Sequence, residues 1–246
     1  MATTDKLFAG SIPELYERFL VPLIFEPYAC DLAKRVADTA PKDVLETAAG
    51  TGVLTRAMAA RLPAAVRIVA TDLNQPMLDQ AAKRQSGDRR IEWRQADALA
   101  LPFPKEARRI LRSGGHFIFN VWDGISENEF ADVVTQALAV IFPNDPPRFM
   151  ARTPHGYHDV EQIREQLRAA GFAEIAIDAV SEKSKTPSPR DAAVGFCEGT
   201  PLRNEIGARD ASGLEHATAQ ATAALARRFG NGPIEGRIRA FVISAA

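Results

Sequence analysis

The stretch Val44-Leu45-Glu46-Thr47-Ala48-Ala49-Gly50-Thr51-Gly52, with Thr71-Asp72-Leu73 after it, decides how this chain reads. A short apolar run ends in a Gly-x-Gly turn and opens into a helix-like segment, 53–59. A second apolar run, 66–70, closes on an acid. This is the layout of a nucleotide-handling βαβ unit, in which the turn admits a ligand to bare backbone and the acid meets ribose hydroxyls. A dinucleotide site would want a third glycine three residues after Gly52, and Thr55 stands there. Glu46, inside the turn, is unwelcome beside a pyrophosphate but suits a ligand that carries an ammonium or sulfonium.

S-adenosylmethionine (SAM) carries both cations, together with a ribose and an adenine. At these residues the chain resembles the class I SAM-dependent methyltransferases, whose first motif runs acid-x-Gly-x-Gly-x-Gly. Glu46, Ala48, Gly50 and Gly52 fill those places, with Ala48 standing where the first glycine is usual. The segment 70–78, with Asp72, Leu73 and Met77, resembles the family's second motif, and Gln95-Ala96-Asp97-Ala98 its third. Leu111-Arg112-Ser113-Gly114-Gly115 resembles the turn before the family's fifth strand, with Ser113 in place of Pro. The resemblance covers most of the chain and is nearest to methyltransferases of the ubiquinone/menaquinone-biosynthesis type.

The chain has 246 residues, enough for one sizeable α/β domain. Its formal charge of −1 gives no broad basic surface, which disfavours nucleic acid as a partner. Cys30 and Cys197 are far apart and have no Cys/His partners at metal spacing, so they read as reduced thiols of a cytoplasmic protein. No apolar run approaches membrane length, and no metal cluster is expected.

Strands are expected at 44–47, 67–72, 91–95, 116–121, 174–179 and 237–244. Helices are expected at 53–61, 75–84, 105–111, 130–141, from 159 to Gly171, from Ser188 and over 213–229. Ser11 with Glu14, and Ser126 with Glu129, have the spacing of capping boxes. The alternation implies a doubly wound, mostly parallel sheet with helices on both faces. Residues 1–40 read as an N-terminal helical lid, with Pro22 interrupting it, and 41–246 as the SAM-binding domain.

One departure from the family is large. Asp97 is followed by Ala-Leu-Ala-Leu-Pro-Phe-Pro, and the next helix pattern begins at Lys105. Pro102 and Pro104 exclude a central strand there, so about twenty residues are absent relative to the resemblance. Either the sequence joins residues across a gap or the chain dispenses with the strand. The first reading is favoured, because a sheet rarely survives losing its middle. True loss would set strands one and five side by side or leave a slot of roughly 10 Å.

The resemblance and the positions together nominate Glu46, Ala48, Gly50, Gly52, Asp72, Leu73, Met77, Asp97 and Ala98 for SAM. Asp72 would take the ribose, Asp97 the adenine amino group, and Leu73 and Met77 the adenine faces. Tyr16, Phe19 and Trp122 are the expected walls of a site for a small, aromatic or lipid-like acceptor. His155, Tyr157, His158 and Asp123 are the candidate catalytic groups, and a solvated loop is the competing reading for the first three. Two other functions remain open: a methyltransferase-like binding protein without turnover, and an NAD-dependent oxidoreductase.

Overall fold

The computed structural model describes residues 7–97 and 111–246. Strands β1 (Asp43–Glu46), β2 (Arg67–Asp72) and β3 (Ile91–Gln95) form a parallel sheet in the order β1-β2-β3. Val44 pairs with Ile68, and Ile68 with Ile91. Between them run α3 (Val53–Arg61) and α4 (Gln75–Arg84), in the alternation that the sequence predicts. Pro76 sits in the first turn of α4, where its missing N–H costs nothing.

A second three-stranded sheet has the order β4-β6-β5, from β4 (Phe117–Trp122), β5 (Ile175–Thr186) and β6 (Ile234–Ala245). Among the described residues the strands thus fall in two three-stranded sheets, where one was expected. Among the described residues β1 pairs only with β2, and β4 only with β6. The break falls where the sequence lacks a strand. Its mark is Leu45, which is 45% exposed although it sits on a strand that would be central in a doubly wound sheet. The chain link at Pro104–Lys105 lies outside the described residues, as does the expected helix over 105–111 except for Leu111, which stands in a bend.

The chain forms two compact units. One comprises Met1–Phe25, Trp122–Tyr157 and Ser181–Ala240; the other comprises Glu26–Val121, His158–Val180 and Phe241–Ala246. In the second unit α2 (Glu26–Asp38) packs on α3, and Ala33, Met58, Leu62, Val66 and Ile68 make a buried cluster. A separate cluster joins Ile163 and Leu167 of α7 (Val160–Ala169) to Phe172, Ile243 and Ala245. Asp159 caps α7, accepting from the backbone N–H groups of Glu161 and Gln162. In the first unit α10 (Leu214–Phe229) packs against α5 (Glu129–Ile141) and α8 (Pro189–Glu198).

Several local expectations are corrected. Pro22 does not interrupt the N-terminal helix: α1 (Ile12–Leu15) runs on as a ten-residue π-helix, Tyr16–Phe25, that contains Pro22. Gly195 of α8 and Gly199, which ends it, let this wide helix approach. A Cβ on Gly195 would lie 3.3 Å from Phe19 Cβ, and one on Gly199 would lie 3.2 Å from the Tyr16 nitrogen. Neither capping box forms. The Ser11 hydroxyl accepts from Arg203 at 2.6 Å, and the Ser126 position lies in a 3-10 turn, Ile125–Glu127, before Asn128 starts α5. Two short helices were not expected, α6 (Phe149–Arg152) within the proline-rich connection and α9 (Leu202–Arg209). Strand β5 outruns its expected end because the polar Ser181–Thr186 stretch still pairs in the sheet, with Lys183 and Lys185 both reaching Glu235.

Candidate functional site

The turn after β1 is held by its own side chains. Asp72 Oδ2 accepts from the Gly50 N–H at 2.9 Å, and Oδ1 accepts from the Asn74 N–H at 2.8 Å. The end of β2 is thereby tied to the turn, and the Ala49 N–H donates to the Thr71 carbonyl at 2.9 Å. The Thr71 hydroxyl donates to the Glu46 carbonyl. Gly52 has φ +80°, and a Cβ there would lie 2.8 Å from the Trp93 ring. Glycine is required at this position for both reasons. Ala48, in the place of the first motif glycine, also has positive φ, +55°.

Glu46 is buried, and Thr55 donates its hydroxyl to Glu46 Oε2 at 2.5 Å. Thr55 is thus the acid's anchor, whereas in the sequence it registers only as a missing glycine. Burial pushes the Glu46 carboxyl up to about 7; the Thr55 hydrogen bond opposes this and the neighbouring Asp72 charge adds to it. Thr51, also in the turn, is 1% exposed, and its hydroxyl oxygen has no hydrogen-bond partner among the described residues. Two carboxylates, an orphaned hydroxyl and bare backbone make a donor set that suits a ligand with a cation and hydroxyls. It repels a pyrophosphate.

The other expected cofactor residues lie nearby in sequence with mixed exposure. Leu73 is half-buried and accepts at its carbonyl from Gln95. Met77 is 3% exposed, on the buried face of α4 with Leu78 and Ala81. Asp97 is half-buried just beyond β3, where the Ala96 N–H donates to the Asp72 carbonyl. Ala98 lies outside the described residues. A wide polar groove between Leu62 and Arg90 belongs to the opposite, amino end of this sheet, before β3 begins.

In the first unit a cavity of about 120 Å³ is walled mainly by apolar side chains. Tyr16, Leu20, Ile24 and Phe25 enter from the π-helix, with Trp122, Phe130, Phe149, Met150 and His155 around them. Trp122 stands edge-on to Phe25, centroids 5.6 Å apart, and 6.3 Å from the His155 ring. Tyr16 and Trp122, two of the residues nominated for the acceptor, thus line the same chamber. Phe19 does not line it; its ring lies under the Arg18 guanidinium, 5.0 Å from the centroid.

His155 is 5% exposed, and its Nδ1 is 2.9 Å from the Asp123 carbonyl oxygen. That same oxygen accepts from Asn128 Nδ2 at 3.2 Å. The Asp123 carboxylate turns instead to the Gly124 N–H and to Arg239, at 2.7 and 3.3 Å. Tyr157 and His158 are exposed and are not among the cavity walls. Asn128, buried at 2%, was missed in the sequence because nothing local marks it; its partners are Asp123, Gly124 and the Arg239 N–H.

Among the described residues no cluster of His, Cys, Asp or Glu could hold a metal, and no helix is long and apolar enough to cross a membrane. Both cysteines are free, and burial pushes the Cys197 thiol up to about 12.

A family model described as a methyltransferase domain matches residues 44–143, a span that includes the turn, Asp72 and Trp122. A demethylmenaquinone methyltransferase of Clavibacter sepedonicus is 38% identical over 174 residues, covering 58% of this chain and 70% of that protein. Two crystal structures share the fold. One, a Bacillus halodurans protein assigned as a methyltransferase, aligns with TM-score 0.52 and 18% identity over 87% of this chain and 97% of its own. The YcgJ protein of Bacillus subtilis aligns with TM-score 0.51 and 16% identity over 89% and 97%.

Proposed function

This chain belongs to the class I SAM-dependent methyltransferases of the quinone-biosynthesis type, and from that premise we propose that it methylates a small aromatic or lipid-like acceptor. The observation that carries the reading is the pair of acids at the glycine turn, Glu46 on Thr55 and Asp72 on Gly50. Glu46 would face the ammonium of SAM, Thr51 would satisfy its orphaned hydroxyl on the ligand, and Asp72 has lone pairs left for the ribose diol. Bound there, SAM supplies an electrophilic methyl group on a sulfonium. The protein's part is to hold the turn in shape, align the acceptor and exclude water.

The acceptor reading rests on the chamber in the first unit, whose walls are apolar with few polar fixtures. The name of the Clavibacter relative points to the same class of molecule. Residues 1–40 are proposed as the lid, since Tyr16, Leu20, Ile24 and Phe25 supply one side of that chamber.

Titration calorimetry with SAM and S-adenosylhomocysteine tests the cofactor assignment. Asp72→Ala removes two hydrogen bonds to a charged acceptor, together worth about 3–5 kcal/mol, so affinity should fall by about a hundredfold or more. A folded chain that binds neither compound would sink the proposal. A second reading, binding without turnover, is favoured by one observation: the exposed Leu45 at the break between the sheets. Methyl transfer from labelled SAM to any acceptor in a broad panel would reject it.

A further inference from the structure

We propose that the chamber of the first unit sorts acceptors by ring number, and that Phe130 is the wall that sets the limit. A single six-membered aromatic ring enters; a fused pair does not. The inference rests on the acceptor site proposed above and narrows its aromatic class.

Size is the first support. The cavity of about 120 Å³ is somewhat smaller than the ~150 Å³ that holds one benzene ring in an apolar protein interior. One ring therefore fits if a wall gives slightly, whereas a second fused ring needs a wall to move aside. Tyr16, Phe25 and Trp122 offer edges and faces to a flat guest. Met150, on α6, is an unbranched thioether with three rotatable bonds, the wall best able to adjust to one.

The second support is the packing of Phe130, in the first turn of α5. It is 1% exposed, and the Phe229 ring stands edge-on to it, centroids 4.9 Å apart and planes at 82°. A Cβ built on Gly236 of β6 would lie 2.7, 3.0 and 3.2 Å from its Cε1, Cδ1 and Cζ. The edge of the ring thus occupies the space that a side chain at 236 would take. Phe229 and Gly236 are not among the cavity walls, so the ring is braced by neighbours outside the chamber. Displacing it means displacing one of them, and interiors packed this closely transmit strain rather than absorb it. The chamber therefore has one wall that yields, Met150, and one that does not, Phe130. A core role alone would give Phe130 an effect on stability; a wall gives it an effect on which ring is bound.

The test uses the full chain with carbon-labelled methionine methyl groups, and toluene and naphthalene as probes. Met150→Leu assigns the Met150 resonance. Toluene should shift that resonance and leave the one of Met77, on the buried face of α4, in place. Naphthalene has the larger apolar surface, so without a limiting wall it would bind more tightly. The wild type should instead bind it roughly tenfold or more weaker than toluene, the cost of overpacking. Phe130→Ala should reverse the order. Phe130→Leu, the milder cut, should raise the naphthalene-to-toluene ratio by roughly tenfold, the lower value for one methylene of pocket space. It decides the matter if the alanine variant does not fold. Naphthalene bound by the wild type as tightly as toluene, or an unchanged ratio in Phe130→Leu, would overturn the inference and leave the acceptor site standing. A Met150 resonance that neither probe moves would remove the acceptor site as well. SAM calorimetry on the same sample shows whether the cofactor reading falls with it.

Discussion

At the glycine turn the decisive contacts join residues between 9 and 25 positions apart, Glu46 to Thr55, Gly50 to Asp72 and Glu46 to Thr71. The chamber draws its walls from Phe8 to Ile238. The turn is polar and constrained in φ at Ala48, Gly50 and Gly52, while the chamber is apolar and depends on shape. One is therefore sensitive to backbone freedom and charge, the other to volume. Two glycines put that difference to the test, because at each a side chain would run into an aromatic ring. A Cβ on Gly52 would lie 2.8 Å from Trp93, and Gly52 also has positive φ; a Cβ on Gly236 of β6 would lie 2.7 Å from Phe130, without that constraint.

Gly52→Ala should have the largest effect. The left-handed conformation costs a non-glycine residue about 1–2 kcal/mol and overpacking about 1–3 more, so the loss of stability should be about 4 kcal/mol. Urea denaturation reads it directly, and SAM affinity should fall with it. A loss below about 1 kcal/mol would mean that the turn adapts and that its geometry is not what binds the cofactor.

Next comes charge. Glu46 has its carboxyl raised to about 7 in the folded chain, above its unfolded value. The folded state then holds a proton that the unfolded state has released. The associated stability is complete below the unfolded value near 4.5 and is lost as pH rises through 7. Over that window the loss should be about 3 kcal/mol. Glu46→Gln mimics the protonated form and should flatten this part of the profile, leaving the variant more stable than wild type at pH 8 and equal to it at pH 4. Denaturation midpoints at the two pH values measure this. SAM affinity should fall in the same variant, since the ammonium loses its counter-charge.

The contrast also explains how much could be read in advance. The segments 53–61, 67–72, 75–84 and 91–95 lie where periodicity puts them, because each is a local amphipathic or apolar run bounded by Gly, Pro or an acid. Glu46, Gly52 and Asp72 were legible from spacing within one βαβ unit. The role of Thr55 was not, since only the folded turn shows a hydroxyl on Glu46. Phe149 and Asn128 left no signal because each is tied to a residue far along the chain, Glu205 for the Phe149 N–H and Arg239 for Asn128 Oδ1, and the short-range bonds of Asn128 to Asp123 and Gly124 follow no recognised spacing. Pro22 misled because a lone proline reads as a helix breaker, whereas here it sits inside a π-helix.

Gly236→Ala makes the matching cut in the first unit. A methyl group there must displace the Phe130 ring, which is 1% exposed and already stands edge-on to Phe229 with centroids 4.9 Å apart. The expected loss is about 2 kcal/mol, smaller than at Gly52 because only packing is violated. Phe130 also walls the chamber, so toluene binding should weaken while calorimetry with SAM stays unchanged. Equal losses of both ligands would show that the turn and the chamber do not respond separately.

The smallest effect belongs to alanines that occupy glycine-like conformations. Ala48 has φ +55° in the turn, and Ala40 has φ +47° just after α2. In each case glycine relieves roughly 1–2 kcal/mol of left-handed cost but loses about 0.5–1 kcal/mol of unfolded-chain entropy. Both Ala48→Gly and Ala40→Gly should therefore stabilise the chain by about 0.5 kcal/mol, a rise of a degree or two in melting temperature. Their effects on SAM should diverge. Ala40 lies outside the turn, so its substitution should leave affinity alone. Ala48 stands between Glu46 and Gly50, and its methyl restricts the loop to the shape that Asp72 holds. Ala48→Gly should then weaken SAM by about twofold even as it stabilises the fold, because the freer turn must be ordered on binding. Unchanged affinity in both variants would show that Asp72 alone fixes the turn and that the alanine is merely tolerated strain.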